Sequence, residues 1–278
     1  MKRLIALNIF LFSLICCLHA QQLRTPAPSS TQTIKQEFGL SNVEINYSRP
    51  GVKGREIFGK LVPYGKVWRT GANNATTVTF GDDVMINGTK VPAGKYGLLT
   101  IPDQNQWTII ITKQLDVTQP AAYKQDQDVA RITANPETLP FSLETFTIFF
   151  NDVKSTSMNI ELVWDKTAVA FPVTTEIDSK IMAQIDNIMA ADNRPYYNAA
   201  MYYVDNGKDQ NKALEWFNKA VEQNTKAYWA YYQRASLLAK MGKKQEAIAS
   251  ANKSIEAAKE AKNDDYVTLN ENLLKTLK

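Results

Sequence analysis

The hydrophobic period of the chain changes once, close to Val173, and this change decides the fold class. Before Val173, apolar and polar residues alternate in short runs such as Val43–Tyr47 and Trp107–Thr112, which is the period-two pattern of half-buried strands. After Val173, isoleucines recur at helical spacing. The sequence therefore predicts an α+β multidomain chain, in which an antiparallel β-sandwich or barrel-like domain precedes an α-helical repeat domain.

The β domain is predicted over residues 34–173. Its apolar runs are short and no long helical pattern interrupts them, which argues against a parallel sheet. Asn87-Gly88 lies between two such runs and suits the left-handed positions of a type I′ hairpin turn. Four aromatic residues lie in strand runs and are expected in the core, namely Phe80, Trp107, Phe146 and Trp164. Strands are predicted at 43–47, 76–80, 84–91 (the hairpin), 95–101, 107–112, 128–134, 144–150, 158–164 and 169–173.

The helical part begins with a predicted bridging helix over residues 174–191, with Thr174 or Thr175 as its N-cap. Its apolar face is expected to consist of Ile177, Ile181, Ile185 and Ile188. A repeat with a period of 34 residues follows over 192–278: Ala213-Leu214 matches Ala247-Ile248, and Asn218-Lys219 matches Asn252-Lys253. This period and the small–large–small spacing of Ala213, Phe217 and Ala220 are typical of tetratricopeptide helices, although the usual proline at the repeat end is absent.

The first twenty residues have the pattern of a secretory signal peptide. Met1-Lys2-Arg3 is basic, Leu4–Leu18 is apolar, and Leu18-His19-Ala20 ends in a small residue, so cleavage is expected after Ala20. We expect an exported protein of the periplasm, outer membrane or extracellular space, with no transmembrane segment after cleavage. A lipoprotein is the less favoured alternative, because no small residue precedes Cys16 or Cys17. Residues 21–33 are polar and are predicted to be a disordered leader.

Cleavage would remove both cysteines and the only histidine, which are Cys16, Cys17 and His19. The mature chain would then lack a thiolate nucleophile, an imidazole base and any Cys/His metal site. We therefore expect no metal and no cofactor. The formal charge would fall from +4 to +2, since only Lys2 and Arg3 are lost, and so small a charge argues against a nucleic-acid partner.

A glycine-punctuated segment from Ser48 to Thr77 contains the densest chemistry of the chain. Glycines at 51, 54, 59, 65 and 71 and prolines at 50 and 63 break both helix and strand periods, and long ordered loops of this kind are usually functional. Only one acid, Glu56, lies among six basic residues between Arg49 and Arg69. Trp68 is interpreted either as a ligand contact or as a lid on the core. The candidate ligand-binding residues are Arg49, Lys53, Arg55, Tyr64, Lys66, Trp68, Arg69, Asn73 and Asn74.

The same segment carries a family resemblance. The run Val67-Trp68-Arg69-Thr70-Gly71-Ala72-Asn73, together with Pro92–Tyr96 and Trp107–Ile110, resembles the domain of unknown function 2911 family of bacterial exported proteins. The resemblance covers about residues 36–173. It implies a β domain and export, and it transfers no catalytic residue.

The helical part is rich in aromatic residues, more than helix packing alone is expected to use. Tyr and Trp are favoured anchors at protein interfaces, so a concave peptide groove is one interpretation and pure packing is the other. Two repeats are fewer than the three usually needed for stability, and support from the bridging helix, the β domain or a partner is expected. The candidate partner-binding residues are Tyr197, Tyr203, Trp216, Trp229 and Tyr232.

Three functions are compatible with these features. The first is an exported binding or scaffolding protein, with an anionic ligand such as an acidic glycan or lipid headgroup on the β domain and a protein on the repeats. Arg and Lys suit carboxylate or sulfate oxygens. The second is a histidine-free lyase or glycosidase on acidic glycans, which is less favoured because Glu56 has no acidic neighbour in the segment. The third is a structural envelope protein.

Overall fold

The computed structural model describes residues 25–190 and 194–277. The predicted signal peptide and its predicted cleavage site lie outside these residues. The described chain separates into two compact units, residues 25–177 and 178–277, apart from the gap at 191–193. None of the helices in the described part is both long and apolar enough to cross a membrane.

The first unit consists of two antiparallel sheets, as the alternating pattern predicts. The six-stranded sheet has the order β1-β2-β3-β6-β7-β8, and the four-stranded sheet has the order β5-β4-β10-β9. The strands are β1 Ser30–Phe38, β2 Ser41–Arg49, β3 Thr77–Phe80, β4 Val84–Ile86, β5 Thr89–Val91, β6 Gly94–Ile101, β7 Trp107–Thr112, β8 Asp128–Ala134, β9 Pro136–Asn151 and β10 Ser157–Thr174. The sheets are not closed into a barrel, so the sandwich alternative is correct.

Alternate residues of the two sheets form one apolar core. Phe80, Trp107, Phe146 and Trp164 are each no more than 2% exposed, which confirms their predicted place in the core. The Asn87-Gly88 turn is also confirmed, because both residues have positive φ angles, 45° and 83°, between β4 and β5.

Three strand predictions need correction. Residues 30–33, which were predicted to belong to a disordered leader, are the first residues of β1. This strand pairs with β2 along its whole length, from Ser30↔Arg49 to Phe38↔Ser41, but its sequence is too polar to be recognised as a strand. The two predicted strands at 158–164 and 169–173 are one strand, β10, with register shifts around Asp165. Strand β9 begins eight residues earlier than predicted. Its first part contains Pro136 and Pro140, which are tolerated because β9 is an edge strand, where a proline need not remove a hydrogen bond between strands.

The second unit consists of six helices with two repeats at its centre. The helices are α1 Asp178–Met189, α2 Tyr196–Asp205, α3 Gln210–Gln223, α4 Tyr228–Lys240, α5 Lys244–Glu260 and α6 Asp264–Thr276. Ala213 of α3 and Ala247 of α5, 34 residues apart, are both fully buried, because only a small side chain fits at that place in each repeat. Gly242, with φ of 74°, makes the turn between α4 and α5.

Helix α1 begins later than predicted. Thr174 still belongs to β10, and the hydroxyl of Thr175 donates to the Asp83 carbonyl, so neither threonine caps the helix. Ile185 is buried in the helical core, where Ile181 is partly buried, whereas Ile188 is 43% exposed. Helix α1 therefore supports the two repeats from one side of the array.

Candidate functional site

The glycine-punctuated segment is held to the sandwich by apolar residues spaced between its polar ones. Ile57, Val62 and Trp68 are 1%, 4% and 8% exposed, while the residues between them are mostly exposed. The main chain of Trp68 exchanges two hydrogen bonds with that of Thr100 on β6, of 2.7 and 3.0 Å. The segment is thus an ordered surface layer, anchored at every few residues.

Trp68 lies inside an aromatic cluster of the core. Its ring stacks on Trp164 at 5.8 Å with an angle of 16° between the ring planes, and meets Phe146 edge-on at 5.2 Å. Its indole N–H donates to the Gly71 carbonyl at 3.0 Å. This burial supports the interpretation of Trp68 as a lid on the core, and leaves only the edge of the ring for a ligand.

Two adjoining cavities lie beneath and beside this segment. The first, of about 300 Å³, is lined by Lys53, Arg55, Leu61, Val62, Trp68, Arg69 and Trp164, with Pro28, Ser29, Pro50, Gly51, Gly71 and Ala72; we name it the Arg55 cavity. The second, of about 270 Å³, is lined by Leu61, Val62, Pro63, Lys66, Val67, Trp68, Arg69 and the run Val117–Pro120; we name it the Val117 cavity. They share Leu61, Val62, Trp68 and Arg69.

Arg69 lies at the junction of the two cavities and is only partly satisfied. One guanidinium nitrogen donates to the Thr118 carbonyl at 2.8 Å. Its Nε is buried and has no hydrogen-bond partner within residues 25–190 and 194–277. The neighbouring Thr70 is fully buried at φ of 56°, a conformation that a β-branched residue rarely adopts. Its hydroxyl contacts the Thr100 hydroxyl at 3.2 Å, which fixes the backbone next to Arg69.

A second unsatisfied donor belongs to Trp164. This side chain is 1% exposed, lines the Arg55 cavity, and has an indole N–H without a partner in the described part of the chain. A buried donor without an acceptor costs on the order of 1–3 kcal/mol. Because an indole can only donate and an arginine can only donate, both groups call for an acceptor.

The charge of the cavity walls has one sign. Arg55 donates to the carbonyls of Val52 and Gly51 at 3.0 and 2.6 Å, so its guanidinium is held in place. Lys53 and Arg69 complete the cations of the Arg55 cavity, and Lys66 joins Arg69 in the Val117 cavity. No carboxylate is found among the described residues that line either cavity. Such walls attract an anion.

The wall of the Val117 cavity opposite the glycine-punctuated segment is rigidly held. Val117 is 1% exposed and packs with Ala75, Leu99 and Ile110. Farther along, the Tyr123 hydroxyl donates to Asp128, and burial together with this hydrogen bond raises the pKa of Tyr123 to about 12. The phenol therefore stays protonated at neutral pH and keeps its anchor.

Four predicted ligand-binding residues lie outside both cavity walls. Arg49 instead donates to the Phe146 carbonyl and the Thr147 hydroxyl, because the guanidinium covers the open edge of β9. The ring of Tyr64 packs against Gly59. Asn73 donates to the Ser29 carbonyl at 3.0 Å, which ties the residues before β1 to the segment, and Asn74 is exposed. Lys53, Arg55, Lys66, Trp68 and Arg69 are the predicted residues that the cavities bring together.

Two groups of lining residues were not predicted from the sequence. Trp164 comes from β10, and residues 117–120 come from the connection between β7 and β8. Trp164 was predicted only as a core residue. No local pattern links either group to the glycine-punctuated segment, since the link is tertiary packing.

The predicted partner-binding aromatics do not form a single groove. Trp216 is 5% exposed, and its ring lies 4.7 Å from that of Tyr203, so Trp216 is a packing residue. Tyr197 and Trp229 line a small cavity of about 180 Å³. Tyr232 instead contacts Tyr266 of α6 at 5.7 Å, an aromatic residue that the sequence interpretation omitted.

Metal ligation finds no support in the described part of the chain, where no group of three or more His, Cys, Asp or Glu side chains is placed to hold an ion.

Comparison with known families gives two matches. The family model described as "Protein of unknown function (DUF2911)" matches residues 29–173, just over half of the 278 residues. The tetratricopeptide repeat model matches residues 194–226 and 230–260. No curated protein matches the chain.

Proposed function

Because the chain belongs to the DUF2911 family of proteins of unknown function and carries two tetratricopeptide repeats, we propose that it is an exported scaffold that binds an anionic ligand. The repeats indicate a scaffold for protein–protein interaction. The β domain would hold an acidic sugar or a lipid headgroup, and the helical unit a protein partner in contact with Tyr197 and Trp229.

One observation supports the ligand site above all others. Four cations line two adjoining cavities that have no carboxylate among their described lining residues. A carboxylate, sulfate or phosphate would accept charge-assisted hydrogen bonds from these cations. The helical unit offers a contrast, since its cavity beside Trp216 is lined by Asp186 and Glu215 as well as by basic residues.

We expect glucuronate and glycerol 3-phosphate to bind the purified chain and their neutral counterparts, glucose and glycerol, to bind far more weakly. Replacing Arg69 with methionine keeps most of the side-chain volume and removes the charge. Since a hydrogen bond to a charged group contributes about 1.5–3 kcal/mol, the affinity for the anions should fall roughly 10- to 150-fold. Isothermal titration calorimetry measures each constant.

The matched control is Lys60→Met, which removes an exposed cation of the same segment that lines neither cavity. It should leave the affinities for both anions within about twofold of the wild-type values, since the screened interaction at a distance is small. Equal binding of glucuronate and glucose by the wild-type chain would refute the site. Turnover of acidic oligosaccharides during the titration would instead favour the lyase or glycosidase alternative.

Export is a separate proposal with its own test. The basic, apolar and small-residue regions of residues 1–20 favour removal of that segment by signal peptidase. In a bacterial host, the mature protein should begin at Gln21, and intact-mass spectrometry of the envelope fraction would show it. A cytoplasmic protein that keeps Met1–Ala20 would contradict export, and a diacylated Cys16 or Cys17 would identify a lipoprotein.

A further inference from the structure

We propose that the ligand is a single-chain amphiphile, with its anionic head in the Arg55 cavity and an aliphatic chain in the Val117 cavity. This inference rests on the proposed anion site and narrows its ligand. The two cavities share four lining residues and therefore adjoin, and the proposed ligand would span both.

The two cavities differ in the chemistry of their walls. The Arg55 cavity is lined by three cations and by Trp164. The Val117 cavity is lined mainly by apolar side chains, among them Val67, Val117 and Pro120. One half therefore suits a carboxylate or phosphate, and the other half suits hydrocarbon.

The shared wall has the composition that such a ligand needs at the point where head and chain meet. Arg69 lines both cavities: one terminal nitrogen of its guanidinium donates to the Thr118 carbonyl on the Val117 side. The other terminal nitrogen would reach the head, while the methylene groups lie along the chain, as those of long cationic side chains do at apolar surfaces. Leu61 lies at the same junction and is 44% exposed. Contact with a hydrocarbon chain would remove that apolar surface from water, which is favourable.

The size of the Val117 cavity limits the length of the chain. Its volume is about 270 Å³, which corresponds to about nine waters at roughly 30 Å³ each. A methylene group takes up about as much space as a water, roughly 30 Å³. A chain of about eight to ten carbons is therefore the longest that we expect this volume to enclose. Longer chains would extend into solvent and gain little.

An acidic glycan fits the Val117 cavity less well. A sugar ring carries hydroxyl groups on both faces, and each one needs a partner when it is buried. Among the lining residues, Lys66, Arg69, Thr118 and Gln119 have polar side chains. The remaining seven are apolar except for the indole N–H of Trp68, which already donates to the Gly71 carbonyl. The observations therefore favour the aliphatic chain, and glycan binding is one outcome of the test.

The test is a calorimetric titration of the full chain with butanoate, hexanoate, octanoate, decanoate and dodecanoate, all below their micelle concentrations. We expect the affinity to rise about fourfold per methylene from butanoate to decanoate, since each buried methylene contributes a constant increment. Dodecanoate should bind no more than about twofold more tightly than decanoate, because the cavity is then full. Octanol should bind at least tenfold more weakly than octanoate.

Two variants separate the head from the chain. Gln119→Trp places a large ring at an exposed position of the Val117 cavity wall, and should reduce the chain-length dependence while leaving glucuronate affinity within about twofold of wild type. Arg69→Met should weaken all five carboxylates by a similar factor and keep the fourfold step per methylene. Gln106→Trp, at an exposed position in the connection between β6 and β7, controls for the added indole.

The outcomes distinguish the two proposals. If glucuronate binds but the carboxylate affinities do not depend on chain length, the amphiphile inference is wrong and the anion site stands. If neither glucuronate nor any carboxylate binds, both are wrong. Octanol binding as tight as octanoate, or affinities for uronate oligomers that rise with their length while the fatty acids bind weakly, would also overturn the inference.

Discussion

Replacing Trp68 with alanine is expected to lower the free energy of unfolding of the β domain by about 3–5 kcal/mol, the range for a large aromatic residue removed from a core. The side chain is 8% exposed and contacts four aromatic rings, those of Phe58, Trp107, Phe146 and Trp164, with centroids between 5.2 and 6.4 Å away. The rings would lose a common neighbour, and the closely packed cluster could collapse only in part.

Urea unfolding, followed by near-ultraviolet circular dichroism, measures this loss. The matched control is Trp229→Ala in the helical unit, which removes the same side chain from a partly exposed position outside the β domain. The control should leave the unfolding transition of the β domain unchanged. A loss below about 0.5 kcal/mol for Trp68→Ala, the range of ordinary surface changes, would mean that Trp68 is a surface residue, available to a ligand.

Replacing Gly97 with alanine is expected to destabilise the β domain by about 1–3 kcal/mol or more, as overpacking of a filled interior does. The sign is the opposite of the usual one, since glycine-to-alanine changes at permissive sites stabilise by about 0.4–1 kcal/mol. A Cβ on Gly97 would lie 2.2 Å from the carbonyl oxygen of Gln114 and 3.0 Å from Thr112 Cγ2. The first contact is with backbone, which cannot rotate away.

The measurement is the midpoint of urea unfolding at constant slope, which reports stability alone. Lys95→Ala, at an exposed position of the same strand β6, should change the free energy by less than about 0.5 kcal/mol. Alanine at position 97 that leaves the midpoint unchanged would show that β6 and the chain after β7 lie farther apart than the structure places them.

The sequence predicted the strands whose two faces differ in hydrophobicity, and missed a strand whose more buried face is itself half polar. Val43, Ile45 and Tyr47 alternate with polar residues, and β2 was found. Strand β1 is polar along nearly all its length, with Phe38 as its only buried residue. It is a strand because β2 supplies hydrogen-bond partners along its whole length, and that pairing leaves no periodic mark on β1 itself.

The candidate site was predicted in part for a related reason. Local features of the glycine-punctuated segment, its turns and its cations, pointed to Lys53, Arg55, Lys66 and Arg69, which line the two cavities. Whether a given cation faces a cavity depends on residues that are far away in the sequence. Arg49 is adjacent to the same turns, yet its guanidinium covers β9, about one hundred residues later. The aromatic residues of the helices likewise did not separate packing residues from interface residues. Trp216 was predicted to bind a partner, but it is buried and packs against Tyr203.

The attachment of the glycine-punctuated segment to β9 has a consequence for the order of folding. Val52 donates to the Glu144 carbonyl, Phe146 donates to the Pro50 carbonyl, and Arg49 reaches Thr147. Contacts between residues so far apart in sequence raise the contact order, and their loop-closure entropy must be overcome before they contribute stability. During synthesis, residues 49–52 are therefore made some ninety residues before their partners on β9. The Arg55 cavity, which Pro50 and Gly51 line together with Trp164 of β10, can be completed only after both β9 and β10 have been made.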